Sequence, residues 1–177
     1  MRTSVQVYSP TTDFEWRHAA TLVKELIDWD VSQSSGFSRS EVVEAFYPDS
    51  MADIQARSTA PHGLFLLATS AKDLAGCAAF KQLSSEVCEL YCVYVRPDCR
   101  GHGVGALLVD RLKMDALAAG YTTMYLETAT FMHDAHRLYQ SQRFEIRDHY
   151  RSLSARYANA IISMQCDLRS AESPGDA

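Results

Sequence analysis

The stretch that decides the fold is a strand ending that leads into a glycine-rich turn, Val93-Tyr94-Val95-Arg96-Pro97-Asp98-Cys99-Arg100-Gly101-His102-Gly103-Val104-Gly105. Directly after it, from Val104 to Ala119, apolar residues recur at helical spacing. The first N–H groups of a helix have no intrahelical partner and carry the positive end of its dipole. Glycines leave those groups accessible, so the turn predicts a phosphate-binding site. Glycines placed only for a positive φ are the alternative.

The glycine spacing also fits a dinucleotide-binding fingerprint. Gly101-x-Gly103-x-x-Ala106 has the required pattern, and Glu127 follows about 20 residues on. Residues 96–99 separate the glycines from the strand, however, and the preceding segments are typical of an antiparallel meander rather than a parallel sheet. A mononucleotide P-loop is excluded, because no Lys-Ser or Lys-Thr follows the glycines.

The rest of the chain predicts an α+β domain with a mixed sheet. Its order is a short strand, two or three helices, a three-stranded meander, the long helix, a strand, a helix and two strands. The first helix is predicted to carry an apolar stripe of Phe14, Leu22, Leu26 and Ile27, and Asp30 to Phe37 is predicted to be a loop. A capping box, Ser38 with Glu41, predicts the start of the second helix.

Composition narrows the class of protein. The chain has 177 residues and a formal charge of -5, without runs of Lys or Arg, which argues against nucleic acid as the main partner. It has neither a secretion signal nor an apolar segment of the roughly 20 residues that span a bilayer. We therefore expect a cytoplasmic protein with no membrane partner, built as one domain over residues 1–168 with a disordered tail at 169–177.

The five cysteines are odd in number and lack zinc-type spacing, so we expect reduced thiols and no metal. They are Cys77, Cys88, Cys92, Cys99 and Cys166. Cys88 and Cys92 lie in one apparent strand, where a spacing of four predicts that both side chains face the same side. Buried small hydrophobic residues are the simplest interpretation.

At the glycine turn the sequence resembles the GCN5-related N-acetyltransferase (GNAT) superfamily. Arg100-x-x-Gly103-x-Gly105 matches that family's Arg/Gln-x-x-Gly-x-Gly/Ala motif, and Ala135-x-x-Leu138-Tyr139 followed by Phe144 is similar to its second motif. The resemblance covers Leu64 to Leu168. It implies a mixed, mostly antiparallel sheet of about six or seven strands, flanked by helices, with a splayed central strand pair. Two positions depart from the pattern: Arg143 replaces a common glycine, and Met132 replaces a cofactor-contacting asparagine.

The resemblance implies that acetyl-CoA binds between the splayed strands. The strand that ends with Val93, Tyr94 and Val95 would offer main-chain groups to the pantetheine arm. The pyrophosphate would be held by the turn that follows, which consists of Arg100, Gly101, His102, Gly103, Val104, Gly105 and Ala106.

Acetyl transfer to an amine requires a base for the amine, a stabilised oxyanion and a proton for the leaving thiolate. The resemblance assigns the proton donor to Tyr139, which keeps its proton at neutral pH. We choose Glu89 as the base, acting through an ordered water, because it interrupts an apolar strand where many relatives carry a glutamate. Glu127 is a weaker choice. Histidine is a common general base, but His102, His133 and His136 are not expected to be catalytic.

The function predicted from these residues is transfer of an acetyl group from acetyl-CoA to the primary amine of a small molecule, directly within a ternary complex. A CoA-binding module without catalysis and a nicotinamide-dependent oxidoreductase remain alternatives. Acidic residues such as Asp28 and Asp30 would suit a cationic amine. Relatives often dimerise through late strands, which makes a homodimer through Ala160 to Asp167 a further expectation.

Overall fold

Seven strands form one sheet in the computed structural model, which describes residues 4–71 and 73–172. The strands are β1 (Val5–Tyr8), β2 (Gly63–Ser70), β3 (Asp73–Gln82), β4 (Val87–Val95), β5 (Thr123–Ala129), β6 (Glu145–Arg147) and β7 (Ile161–Asp167). They lie in the order β1-β2-β3-β4-β5-β7-β6. β4 and β5 are parallel, and the other neighbouring pairs are antiparallel. The predicted mixed, mostly antiparallel sheet is confirmed.

Helices cover both faces of this sheet. They are α1 (Asp13–Gln33), α2 (Arg39–Phe46), α3 (Met51–Arg57), α4 (Val104–Ala118), α5 (His133–Ser141) and α6 (Ala155–Ala158), with short 3-10 helices at Pro97–Cys99 and Leu168–Glu172. Leu108 and Leu112 of α4 are fully buried in one hydrophobic cluster, and Leu22 of α1 is buried with Phe65 in the other. The sheet therefore has an apolar core on each face, as expected of an α+β domain.

The helix starts differ in one respect that matters for the site. α1, α2 and α3 each begin with a capping box, in which a hydroxyl and a carboxylate satisfy free N–H groups. The pairs are Thr12 with Glu15, Ser38 with Glu41, and Ser50 with Asp53. In the described part of the chain, α4 begins at Gly103 with no side-chain cap and no acidic residue in its first turn. Its N-terminus is left available to an external anion.

Helix α1 is longer than the sequence predicts, because it continues through Gln33 into the expected loop. Asp30 is 5% exposed and accepts a hydrogen bond from the Tyr47 hydroxyl at 2.7 Å. This tertiary contact holds a polar segment in the helix that local propensity alone would release. Phe14, predicted to lie on the apolar stripe, is instead 60% exposed.

A β-bulge in β4 overturns the prediction that Cys88 and Cys92 share a face. Cys77 pairs with Tyr94 and Ala79 with Tyr91, so β4 has one residue more than β3 between these partners. Cys92 has a φ of +53° at this point. The extra residue reverses the alternation of side chains, so that Cys88 joins the cluster under α4 and Cys92 joins the cluster under α1.

The C-terminal part of the chain refines two further expectations. Residues 169–172 continue the 3-10 helix Leu168–Glu172, and the rest of the predicted disordered tail lies outside the described residues. β7, through which relatives often dimerise, pairs with β5 on one edge and β6 on the other. β6 covers that second edge only from Ser163 to Gln165. Over the described ranges, every helix is too short or too polar to cross a bilayer.

The end of β4 is fixed to α1 by an ion pair, and this contact makes a stability prediction. The Arg96 guanidinium meets both oxygens of Glu25, at 3.0 and 2.7 Å, and donates to the Leu74 carbonyl at 3.1 Å. Lysine cannot reproduce this fork. We expect Arg96→Lys to lower the free energy of unfolding in urea by about 1 kcal/mol.

The matched control is Arg111→Lys, which alters the exposed pair that Arg111 makes with Asp115 within α4. Little change is expected there, because exposed ion pairs contribute little. An equal loss in both variants would mean that the Arg96–Glu25 contact has no special role.

Candidate functional site

The candidate site begins where β4 and β5 separate. The parallel pairing runs from Val87 opposite Thr123 to Leu90 opposite Leu126. Beyond Leu90, β4 is paired only with β3 in the described structure, while β5 continues along β7. One backbone edge of β4 at Tyr91–Val95 is therefore free of sheet partners. Such an edge suits a ligand that carries amide groups of its own.

The glycine turn lies at the wide end of this wedge. Gly101 and Gly103 have φ of +75° and +82°, and a methyl group at either would meet no atom within 4 Å. The first N–H of α4 with a helical partner is that of Leu107, which bonds to the Gly103 carbonyl at 3.0 Å. The preceding N–H groups form an open cradle, which fits the phosphate site that the sequence predicts.

The other residues of the turn have separate positions. The Arg100 Nε donates to the Val95 carbonyl at 2.9 Å, and its guanidinium lies over the Trp29 ring. His102 is exposed, whereas Val104 is buried. Ala106 is half-buried. A side chain at Gly105 would come within 3.1 Å of Leu138 in α5, so that glycine permits α4 to approach α5 closely.

A cavity of about 480 Å³ opens beside the wedge. Val93 of β4 lines it, while the neighbouring Tyr94 is buried among the side chains under α1. The predicted catalytic residues Tyr139 and Glu89 both line this cavity, together with Glu127. The structure thus brings together the carboxylates and the tyrosine that the sequence singles out.

Tyr139 lies in α5 with its ring against Phe144. The residue is 6% exposed, and burial raises the pKa of Tyr139 well above its ordinary value. Its hydroxyl therefore keeps its proton at neutral pH. Arg143, in place of the common glycine before Phe144, has a φ of +65°, so the glycine-like turn after α5 is preserved.

Glu89 has partners on both carboxylate oxygens. The Tyr150 hydroxyl donates to Oε1 at 2.5 Å, and the Lys81 ammonium lies 3.1 Å from Oε2. Burial and the Glu89 carboxylate raise the pKa of Tyr150, so this phenol stays protonated as the donor. Glu89 is thus held as a fixed negative charge in the cavity wall.

Glu127 is placed differently, although it is on the same face of the neighbouring strand. Its Oε2 lies 2.6 Å from Arg151 Nη2, and its side chain is 11% exposed. Its Oε1 is shielded from solvent and has no hydrogen-bond partner among the described residues. An unsatisfied buried carboxylate oxygen is costly, and in a cavity it indicates a place for a donor from a ligand.

Asp30 is the cavity residue whose position the sequence did not predict. Local pattern places it in a polar loop, but the structure buries it in the last turn of α1. Burial raises the pKa of Asp30, although hydrogen bonds from Tyr47 and Ser34 act in the opposite direction. The signal in the sequence is its spacing, because Asp30 lies four residues after Leu26 and eight after Leu22 and so continues the buried stripe of α1.

The cysteines show no sign of nucleophilic chemistry. All five lie within the described residues and are free, and burial raises the pKa of Cys92 to about 12. A thiol that keeps its proton is a poor nucleophile. Across residues 4–71 and 73–172, no three His, Cys, Asp or Glu side chains are grouped as metal ligands.

The two aspartates near the end of α1 should respond to pH with opposite signs. The pKa of Asp30 is raised, so its contribution to stability is complete below its unfolded pKa of 3.8 and is lost as pH rises through the folded value. Asp30→Asn stays neutral and keeps an acceptor for Tyr47. We expect its urea midpoint, relative to the parent protein, to be higher at about pH 7 than at about pH 3.

Asp28→Asn is the control within the same helix. Hydrogen bonds from Lys24 and Arg39 lower the pKa of Asp28, so its contribution is present above 3.8 and is lost as pH falls. This variant should therefore be less stable than the parent protein at neutral pH and equal to it in acid. The same sign for both variants would contradict the assignment.

Comparison with known proteins agrees with this geometry. A model of the acetyltransferase (GNAT) family matches residues 23–144. An uncharacterised N-acetyltransferase of Schizosaccharomyces pombe is 34% identical over 104 residues, a match that spans 58% of this chain but only 64% of that protein.

Two solved structures share the fold. The paiA N-acetyltransferase of Thermoplasma acidophilum, in complex with coenzyme A, superposes with a TM-score of 0.70 at 16% identity, over 93% of this chain and 99% of that one. An acetyltransferase from Streptococcus agalactiae gives 0.71 at 16% identity, over 92% and 98%. Since the family model matches more than half of the sequence and the fold is the same, the chain belongs to the acetyltransferase (GNAT) family.

Proposed function

We propose that the protein is an acetyl-CoA-dependent N-acetyltransferase that acts on the primary amine of a small molecule by direct transfer, with both substrates bound. One observation carries the proposal: an uncapped helix N-terminus, a parted strand pair and a carboxylate-lined cavity containing Tyr139 adjoin one another. The paiA relative, which has the same fold, is bound to coenzyme A.

The residues at the wedge fit coenzyme A. The free N–H groups at Gly103–Ala106 suit its pyrophosphate, because they combine unpaired donors with the positive end of α4. The free edge of β4 at Val93–Val95 suits the amides of the pantetheine arm. When bound, acetyl-CoA supplies an activated acyl group with a thiolate leaving group. Arg100 lies at the junction of these two parts, held by the Val95 carbonyl.

Tyr139 and a cavity carboxylate divide the proton transfers between them. The acceptor nitrogen bonds to the acetyl carbon as the carbon–sulfur bond breaks. A carboxylate takes the proton of the acceptor ammonium, and Tyr139 gives its proton to the sulfur and recovers one from the second N–H of the amine. Glu89, the base expected from the sequence, would act through a water, because its two oxygens already have partners. Glu127 is the other candidate for this role.

The experiment that tests the proposal is thiol release from acetyl-CoA in the presence of a panel of primary amines. Amine-dependent release is the expected result. A CoA-binding module without catalysis would instead be stabilised by acetyl-CoA and release no thiol with any amine. A nicotinamide-dependent oxidoreductase would show a melting shift with NAD and none with CoA.

The open N-terminus of α4 leads to a prediction about acetyl-CoA binding, and a control variant distinguishes an effect on the cradle from general backbone strain. Gly103→Ala places a methyl group at a φ of +82° in the cradle, and we expect acetyl-CoA affinity by calorimetry to fall about tenfold. Gly120→Ala introduces the same kind of strain, at a φ of +97°, beyond the far end of α4. Both variants should lose about 1–2 kcal/mol of stability. Equal acetyl-CoA affinities in the two variants would show that the cradle is not part of the binding site.

Tyr139 makes a kinetic prediction. Tyr139→Phe keeps the ring packed on Phe144 but removes the hydroxyl, so kcat should fall about 100-fold while the Kd of acetyl-CoA changes less than about twofold. Tyr121→Phe is the control, because Tyr121 is 3% exposed in the same hydrophobic cluster and donates to the distant His62 carbonyl. An unchanged rate in Tyr139→Phe would exclude Tyr139 as the proton donor.

A further inference from the structure

The charges that line the cavity are unevenly compensated. Three of its carboxylates have a cationic side chain within 3.1 Å. They are Asp49 with Arg57 at 3.0 Å, Glu89 with Lys81 at 3.1 Å, and Glu127 with Arg151 at 2.6 Å. Asp30 lines the same cavity, but within the described part of the chain it has hydroxyl partners alone, Tyr47 and Ser34.

Asp30 is in an unfavourable place for a carboxylate without a counter-ion. It is 5% exposed and lies in the last turn of α1, a helix of 21 residues. The C-terminal end of a helix carries the negative end of its dipole, and the last turn of α1 contains no basic residue. Removing a charge from water into such a field costs free energy unless a cation compensates it.

The carboxylate of Asp30 also retains capacity to accept hydrogen bonds. The Tyr47 hydroxyl is 2.7 Å from Oδ2, and the Ser34 hydroxyl is 3.3 Å from Oδ1. A carboxylate has about four lone-pair sites, so two remain. The raised pKa of Asp30, caused by its burial, supports the view that the surrounding side chains do not compensate its charge.

We propose that the acceptor carries a second cationic group besides the amine that is acetylated, and that Asp30 binds this second cation. The inference rests on the proposed function and names its substrate class. The reacting ammonium is received by Oε1 of Glu127, the unpartnered carboxylate oxygen at the point where β4 and β5 part.

Glu127 and Asp30 belong to different elements of the fold, so each can bind a different cationic group of the acceptor. Glu127 directly follows Leu126, the last residue of β5 that pairs with β4, and so it lies at the apex of the wedge. Asp30 comes from α1, which packs on β3 and β4. Apolar side chains, Ile27 and Phe131 among them, line the same cavity. A short aliphatic chain with a cationic nitrogen at each end matches this distribution.

At the reacting end, the step balances with the residues present. Glu127 takes one proton from the ammonium, and the nitrogen bonds to the acetyl carbon as the carbon–sulfur bond breaks. Tyr139 protonates the sulfur and recovers a proton from the second N–H of the amine. Glu89, whose oxygens contact Lys81 and Tyr150, serves as a positioning residue. Asp30 takes part in binding and exchanges no proton with the acceptor.

The test compares α,ω-diamines of three to six carbons with monoamines of the same length, by thiol release from acetyl-CoA with the full chain. For the best chain length, kcat/KM for the diamine should exceed that for the monoamine by about tenfold or more, which is the effect of one charge-assisted hydrogen bond. Asp30→Asn should reduce this ratio to nearly one. Asp28→Asn, in which the exposed pairs with Lys24 and Arg39 are lost, should leave the ratio as it is.

Glu127→Gln tests the reacting end of the acceptor separately from the end that binds Asp30. It should lower kcat for diamines and monoamines alike, remove the acidic limb of the pH–rate profile and preserve the diamine preference. Glu89→Gln should keep that limb, and a limb lost in Glu89→Gln but kept in Glu127→Gln would return the base to Glu89.

Three results would overturn the inference. Equal kcat/KM for diamines and monoamines would do so while leaving the acetyltransferase function intact, as would an undiminished preference in Asp30→Asn. The absence of thiol release with every amine, although acetyl-CoA binds, would overturn the proposed function and this inference together. Calorimetric titration of 1,4-diaminobutane into the CoA-bound protein, with and without Asp30→Asn, gives an independent measure of the second cation site.

Discussion

The separation of β4 from β5 is the constraint on which the rest of the structure depends. An extra residue in β4, at Cys92 with a positive φ, shifts the register of β4 against β3, and β4 pairs with β5 only as far as Leu90. A sheet interrupted in this way exposes backbone donors and acceptors inside the domain, where they need partners. The unpaired edge of β4 loses hydrogen bonds within the sheet, but it leaves an opening that suits a ligand carrying amide groups of its own.

Helix α4 and helix α1 present opposite ends of their dipoles at the wedge and its cavity. The N-terminus of α4, without a side-chain cap, favours an anion, and the C-terminus of α1, with the buried Asp30, favours a cation. Both preferences arise from backbone geometry and need few charged side chains. A helix N-terminus without a side-chain cap can therefore favour an anion on a chain of net charge -5 without a cluster of Lys and Arg.

Sequence reasoning was most successful where the signal is local. The capping box at Ser38 and the glycine turn before α4 each depend on residues within one turn of each other, and their geometry follows from short-range sterics and hydrogen bonding. It failed where a distant contact decides. Asp30 stays in α1 because of Tyr47, seventeen residues away, and Cys92 faces α1 because of a register set by β3.

The sequence by itself determined the α+β class, the glycine turn before α4 and the family, since each depends on residue type and short spacing. The tertiary structure alone decided which carboxylates share a cavity and which of them lack a counter-ion. Glu89 and Glu127 look alike as strand glutamates, yet one has both oxygens satisfied and the other has a free one. The charge of a buried group and the partners that it can contact depend on the residues packed around it. Those neighbours are fixed only when the chain has folded.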